Sequence, residues 1–169
     1  VLENQKIEKR IAITPEIAKK YISLGLEVCL SKNYATHLGI SDKEYESLDV
    51  KIIGDEKEII NQADIIVQLG LPSNDKISFL REGQTLIGVL NPYENKNELD
   101  ILKKKKINTF SLELLPRITR AQSMDILSSQ ANLAGYKAVI ESFAFFEKAI
   151  PMMMTAAGTI PAAKILVVG

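Results

Sequence analysis

Segments of strand character and segments of helix character alternate from the start of the chain to Leu112, and no other feature limits the possible folds as strongly. Thr14-Pro15-Glu16 places an N-cap and an N1 proline ahead of Ile17, Tyr21 and Ile22, and Gly25 supplies the stop, which predicts a helix over about 15–24. Leu26–Leu30 reads as a strand, and Ser41 with Glu44 is a capping box opening a short helix that ends near Leu48. Val50–Ile53 is the next strand. Asp55 with Glu58 starts a helix to about Gln62, Asp64–Leu69 is a mostly apolar strand, and Pro72–Asp75 is a turn leading to a helical turn near 74–81. The strand Gln84–Leu90, a helix near 95–105 and the strand Ile107–Leu112 complete the series. Strands separated by helices of about ten residues build βαβ units, so the expected fold is α/β, with a mainly parallel sheet flanked by helices.

After Leu112 the character changes. A polar loop, Glu113–Gln130, is expected to lead into a long helix over about Ala131–Ala149. Its Leu133, Val139, Ile140, Phe143 and Phe146 make an apolar face wide enough to pack on more than one side. Pro151–Pro161, rich in small residues, Gly and Pro, reads as a segment crossing into a second domain whose first strand is Lys164–Gly169. The expected organisation is thus an N-terminal domain over 1–130, an interdomain helix and crossing segment over 131–163, and the opening strand of another domain over 164–169. Val1-Leu2-Glu3 reads as the end of a strand, so the chain is expected to be a fragment cut at both ends.

Composition removes several classes of function. The 21 Lys and Arg balance 21 Asp and Glu, which leaves no electrostatic footprint for nucleic acid or anionic lipid. One Cys and one His cannot form a disulfide framework or a structural zinc site, and no metal is expected. A catalytic triad would have to use His37, and there is no G-x-S-x-G elbow for its serine. The longest uncharged stretch, Ala149–Ala163, is short of the ~20 residues of a spanning helix and is broken by Pro151, Gly158 and Pro161, so the fragment is expected to be soluble. His37 reads as a surface or capping residue, Cys29 as an inert buried thiol, and Lys103–Lys106 as a solvated helix end. Met152-Met153-Met154 suits either an interdomain cleft or core packing.

The chemistry concentrates in the loop after Leu112. Arg117, Gln122, Asp125 and Ser128 follow one another at spacings of five, three and three residues. If the stretch is helical, Gln122, Asp125 and Ser128 share one side of it. An Arg fork, a primary amide and a carboxylate are the groups needed to hold a carboxamide and a ribose hydroxyl, and none is an obvious proton shuttle. A plainer alternative stands beside this one and is favoured by spacing alone: Asp125 caps a helix, Arg117 pairs with a carboxylate and Gln122 is solvated.

The stretch Glu113–Asp125, its continuation Leu127–Ile140 and the segment Pro151–Gly169 resemble the alpha subunit of proton-translocating NAD(P) transhydrogenase. The opening Lys9–Glu16 is similar to the start that this subunit shares with alanine dehydrogenase, while roughly 40–110 matches only in pattern. The resemblance implies a Rossmann-like or flavodoxin-like domain followed by a truncated second Rossmann domain, forming a portion of a peripheral NAD(H)-binding component. That component would work as a homodimer on the cytoplasmic side of the bacterial inner membrane. It would dock on a membrane-spanning proton channel and an NADP(H)-binding component, and pass hydride directly between two nicotinamides in step with proton movement. By the same resemblance Arg117, Gln122, Asp125 and Ser128 contact the nicotinamide and its ribose, with Arg120 and Ser123 in the same matched stretch. No residue would act as acid or base. The alternative, NAD-dependent alanine dehydrogenase, uses a Lys and a His after two strands. The corresponding turns here, Gln68–Pro72 and Leu90–Pro92, carry neither, and Arg10, at that family's substrate-binding Arg, belongs to the shared opening and discriminates little.

Overall fold

A computed structural model describes residues 1–168. The chain divides into two compact units, Val1–Met124 and Asp125–Gly169. The first unit carries five parallel strands and five helices in alternation: α1 (Pro15–Ser23), β1 (Cys29–Ser31), α2 (Asp42–Glu46), β2 (Lys51–Ile53), α3 (Glu56–Gln62), β3 (Ile65–Val67), α4 (Asn74–Ser78), β4 (Thr85–Gly88), α5 (Lys96–Lys104) and β5 (Asn108–Ser111). The second holds α6 (Ile126–Phe145) and the hairpin β6 (Met153–Thr155) and β7 (Gly158–Ile160).

The helix starts lie where the sequence signals put them. The Thr14 side chain accepts from the Ile17 amide, Glu44 closes the capping box on the Ser41 amide at 2.9 Å, and Asp55 accepts from the Lys57 amide at 2.9 Å. One strand starts later than expected. The Gly25 and Leu26 amides turn back onto the carbonyls of Ile22 and Tyr21, with Gly25 at φ +83°, so Leu26 belongs to the helix cap and β1 starts only at Cys29.

The parallel strands fall into two groups. β1 pairs with β2, Cys29 opposite Lys51, and β3, β4 and β5 form a second sheet with Ile66, Leu86 and Thr109 in register. One apolar cluster centres on Ile60, Ile66, Ile77, Leu86, Leu90 and Leu102, and another on Ala18, Leu30, Tyr34, Tyr45 and Val50. Cys29 and Ile53 of the first sheet pack on the former and Val67 of the second on the latter. The two sheets are joined through shared packing. Tyr34 and Tyr45 meet edge to face with ring centroids 6.1 Å apart. The Tyr34 hydroxyl accepts from the Ala12 and Ile13 amides and the Tyr45 hydroxyl donates to the Ile13 carbonyl, which pins the segment ahead of α1. Burial pushes the Tyr45 phenol up to about 12, so it stays a donor.

Four expectations for the C-terminal region change. The long helix begins at Ile126, five residues before Ala131, because Asp125 caps it and the polar run Ser128-Ser129-Gln130 forms its first turn. It ends at Phe145, and Phe146 already has the extended ψ of 108°. None of its residues is buried: Leu133, Val139, Ile140 and Phe143 are all exposed, so the expected packing on more than one side is not made by the described residues. Pro151–Pro161 is not a bare crossing segment but holds the antiparallel hairpin β6–β7, closed around Ala156-Ala157 with Gly158 at φ +129° and Met153 and Met154 exposed. Lys164–Val168 carries no strand, and Gly169 lies outside the described residues.

Candidate functional site

In open α/β sheets ligands gather at the carboxyl ends of the strands, and the polar loop after Leu112 leaves β5 at that end. Leu112–Leu114 makes a short 3-10 turn, and Thr119–Met124 makes a second. Ala121, 5% exposed, anchors the second turn in the first unit while Arg117, Arg120, Gln122 and Ser123 are exposed around it. A 3-10 turn repeats every three residues, so Arg120 and Ser123 share one side and Gln122 shares another with Thr119. The continuous α-helical stretch that would align Gln122, Asp125 and Ser128 is interrupted at Asp125, whose ψ of 89° is not helical.

Asp125 is the N-cap of α6. Its Oδ1 accepts from the Ser128 amide at 2.9 Å and its Oδ2 from the Ser128 hydroxyl at 2.6 Å. The Ser129 hydroxyl donates to the Asp125 carbonyl at 3.0 Å. The plainer reading of Asp125 therefore holds structurally, and Ser128 is its partner rather than a separate feature. Arg117, Arg120, Gln122 and Ser123 belong to the first unit and Asp125 and Ser128 to the second.

Sequence reasoning passed over a second set of polar groups at the carboxyl ends of the strands. The Glu3 carboxylate accepts from the Leu69 amide and, at 3.2 Å, from the Gln68 side-chain amide, closing the turn after β3. Glu113 accepts from the Asn91 amide at 2.5 Å, with Asn91 itself at φ +45°. Gln68 Oε1, Ser111 Oγ and Glu113 Oε2 are out of water and have no hydrogen-bond partner among the described residues. Gln68 stands one residue beyond the apolar strand β3, Ser111 ends β5 and Glu113 follows it by two residues, and that placement at strand ends is the signal that points to them. Gly88 explains how the turn fits. A Cβ there would overlap the Gln68 carbonyl oxygen, with Gly70 O only 3.6 Å away, so the chain after β3 crosses over the end of β4 where a side chain would stand.

The remaining candidates behave simply. His37 Nε2 donates to the Lys9 carbonyl at 2.7 Å, a structural tether on an exposed residue. Arg10 pairs with Glu8 at 2.6 Å, and this hydrogen bond holds the Glu8 carboxyl below its ordinary range. Cys29 is half-buried rather than buried, and burial pushes its thiol up, which disfavours the reactive thiolate. Among the described residues no three His, Cys, Asp or Glu side chains stand close enough to hold a metal ion, and no helix is long and apolar enough to cross a membrane.

Residues 1–134 match the family model described as alanine dehydrogenase/PNT, N-terminal domain. The chain belongs to this family. Within it, the chain is 46% identical over 171 residues to an NAD(P) transhydrogenase subunit alpha protein of Rickettsia prowazekii, a match covering 99% of the chain and 45% of that relative. The solved transhydrogenase of Sinorhizobium meliloti superposes with a TM-score of 0.89 at 42% identity over 96% of the chain and 48% of the solved one, so the α/β fold is shared. Alanine dehydrogenase of Methanococcus maripaludis stands further off, at 26% identity over 83% of the chain and 37% of its own length. The chain spans about half the length of the transhydrogenase relatives it matches. Within the alanine dehydrogenase/PNT family its affinity is thus with the transhydrogenase branch.

Proposed function

We propose that this chain is the nicotinamide-facing portion of the NAD(H)-binding component of a proton-translocating NAD(P) transhydrogenase. The observation that carries the reading is the 46% identity with an NAD(P) transhydrogenase subunit alpha protein over 99% of the chain, a span that includes the exposed loop Arg117–Ser123 and the α6 cap. The donor set fits the group. Gln122 offers an acceptor and a paired donor to a carboxamide, and Arg117 and Arg120 offer planar forks. The Asp125–Ser128 pair presents a carboxylate and a hydroxyl of the kind that binds a ribose diol. Ser123 completes the set. Bound NAD(H) supplies the hydride carrier; the residues of this chain hold the ring and sugar in one orientation, which is what direct transfer between two cofactors requires. None of these side chains needs to move a proton. A homodimer, an NADP(H)-binding partner, a membrane-spanning component and a place on the cytoplasmic face of the bacterial inner membrane belong to the same proposal.

Alanine dehydrogenation is the weaker reading. The turns Gln68–Pro72 and Leu90–Pro92 contain no Lys or His to carry protons, and Glu3 occupies the amide of Leu69. The decisive experiment uses the full-length protein containing this chain, with its NADP(H)-binding partner, and follows hydride transfer from NADH to an NADP analogue. Gln122→Asn is expected to slow transfer while sparing NADH affinity. Unchanged transfer removes Gln122 from the role, and alanine-dependent formation of NADH replaces the proposal with dehydrogenation.

A further inference from the structure

The loop that follows β5 is fastened across the end of the sheet by a side chain. Gly88 and Ser111 are the last residues of β4 and β5 to stand opposite each other, and the ladder between the strands ends there. Glu113 makes the next link, its Oε1 accepting from the Asn91 amide at 2.5 Å. Its Oε2 is out of water, so the side chain is packed in place and is not a solvated carboxylate meeting an amide in passing. The corner it grips is firm. Asn91 stands at φ +45°, a left-handed conformation that Asn adopts more readily than most residues. Its carbonyl accepts from the Glu94 and Asn95 amides at 3.0 Å, and the Asn95 side chain donates to the Leu90 carbonyl at 2.9 Å.

Three further bonds of the loop are internal. The Leu115 amide turns back to the Leu112 carbonyl, Ile118 to Pro116 and Ala121 to Ile118, which fixes the loop's shape but not its place. Its place depends on the buried Ala121 and on the bond to Glu113, which is charge-assisted and so stronger than a neutral one. Glu113 comes four residues before Arg117 and nine before Gln122, both exposed. On the function proposed above, on which this inference rests, those two side chains orient the nicotinamide. We propose that Glu113 is a positioning residue for hydride transfer: it holds the loop on the corner between β4 and α5 and so keeps Arg117 and Gln122 in one place. It touches no reacting atom and moves no proton. Misplacement by about 1 Å can cost about a hundredfold in rate. A loop that has lost this bond still meets the cofactor, but holds its ring in several orientations, few of which transfer hydride.

The test uses the full-length protein containing this chain, with its NADP(H)-binding partner. Glu113→Ala is expected to slow hydride transfer from NADH to an NADP analogue about tenfold while NADH affinity stays within about threefold. Hydrogen exchange of the Thr119–Met124 amides is expected to speed up about tenfold. Glu113→Gln keeps an acceptor oxygen for the Asn91 amide, so rate and exchange are expected to return to within about threefold of the parent. The double variant Glu113→Ala/Gln122→Asn is expected to be no slower than the slower single one, because both changes spoil the same placement. Slow transfer in Gln122→Asn with parental transfer in Glu113→Ala overturns this inference and leaves the proposed function standing. Parental transfer in Gln122→Asn overturns both. Three further results also overturn the inference, since each assigns the loss to something other than the loop's place: slow transfer in Glu113→Ala without faster exchange, no recovery in Glu113→Gln, and rate losses that multiply in the double variant.

Discussion

Replacing Asp125 separates two tasks that one carboxylate can perform. In the structure it caps α6, accepting from the amide and hydroxyl of Ser128 at 2.9 and 2.6 Å. Loss of an N-cap costs about 1 kcal/mol, and loss of a negative charge beside a helix amino end adds about 0.3–1 kcal/mol. α6 buries no residue that would offset this. Asp125→Ala is therefore expected to lower stability by about 1–2 kcal/mol, read as a lower urea midpoint of the helical circular dichroism signal. Asp125→Asn keeps a capping oxygen and loses the charge, so its loss is expected to be only about 0.3–1 kcal/mol. Binding discriminates in the other direction. If the carboxylate also contacts the ribose, Asp125→Asn removes a charge-assisted bond of about 1.5–3 kcal/mol and weakens NADH binding about tenfold or more in the full-length protein. An Asp125→Ala urea midpoint equal to that of the parent refutes the capping argument. NADH affinity unchanged in Asp125→Asn refutes the ribose contact and leaves Asp125 a cap alone.

Other perturbations test the frame that carries the site. Gly88→Ala forces a Cβ into the Gln68 carbonyl on a strand paired on both sides, and is expected to cost about 2 kcal/mol or more in the urea midpoint; a variant as stable as the parent would show that the turn after β3 is free to shift. Gln84, 1% exposed, accepts from the part-buried Arg81 amide at 2.7 Å and donates to the buried Ile60 carbonyl at 2.6 Å; Gln84→Leu leaves the Ile60 carbonyl without this donor and is expected to cost about 1–3 kcal/mol by the same measurement. Glu56 is pushed up by burial but held lower overall by the Leu2 amide, Lys76 and Ser31, so its folded form stays ionised more readily than the unfolded one. The stability it contributes is present above the ordinary carboxylate pKa of 4.5 and is lost as pH falls through the lower folded value. The gap in urea midpoint between parent and Glu56→Gln is expected to be wide at neutral pH and to close in acid; a gap independent of pH assigns the effect to packing instead.

Local signals determined much of this protein. Helix starts at Thr14, Ser41 and Asp55 are written in side chains that cap amides two or three residues on, so no distant contact is needed to place them. Alternation of such helices with short apolar runs settled the parallel arrangement for the same local reason. The candidate loop was also legible, because a run of Arg, Gln, Ser and Asp directly after an apolar strand is a chemical pattern. Its geometry was not. Whether Ser128–Gln130 is loop or helix depends on whether Asp125 turns its carboxylate onto the following amides, and serine hydroxyls support either outcome. Tertiary structure alone decided that Gln84 plugs helix ends, that Gly88 must lack a side chain and that Glu3 closes a turn 66 residues away. These are encounters between residues far apart in the chain. Their energy exists only once the strands have been brought side by side.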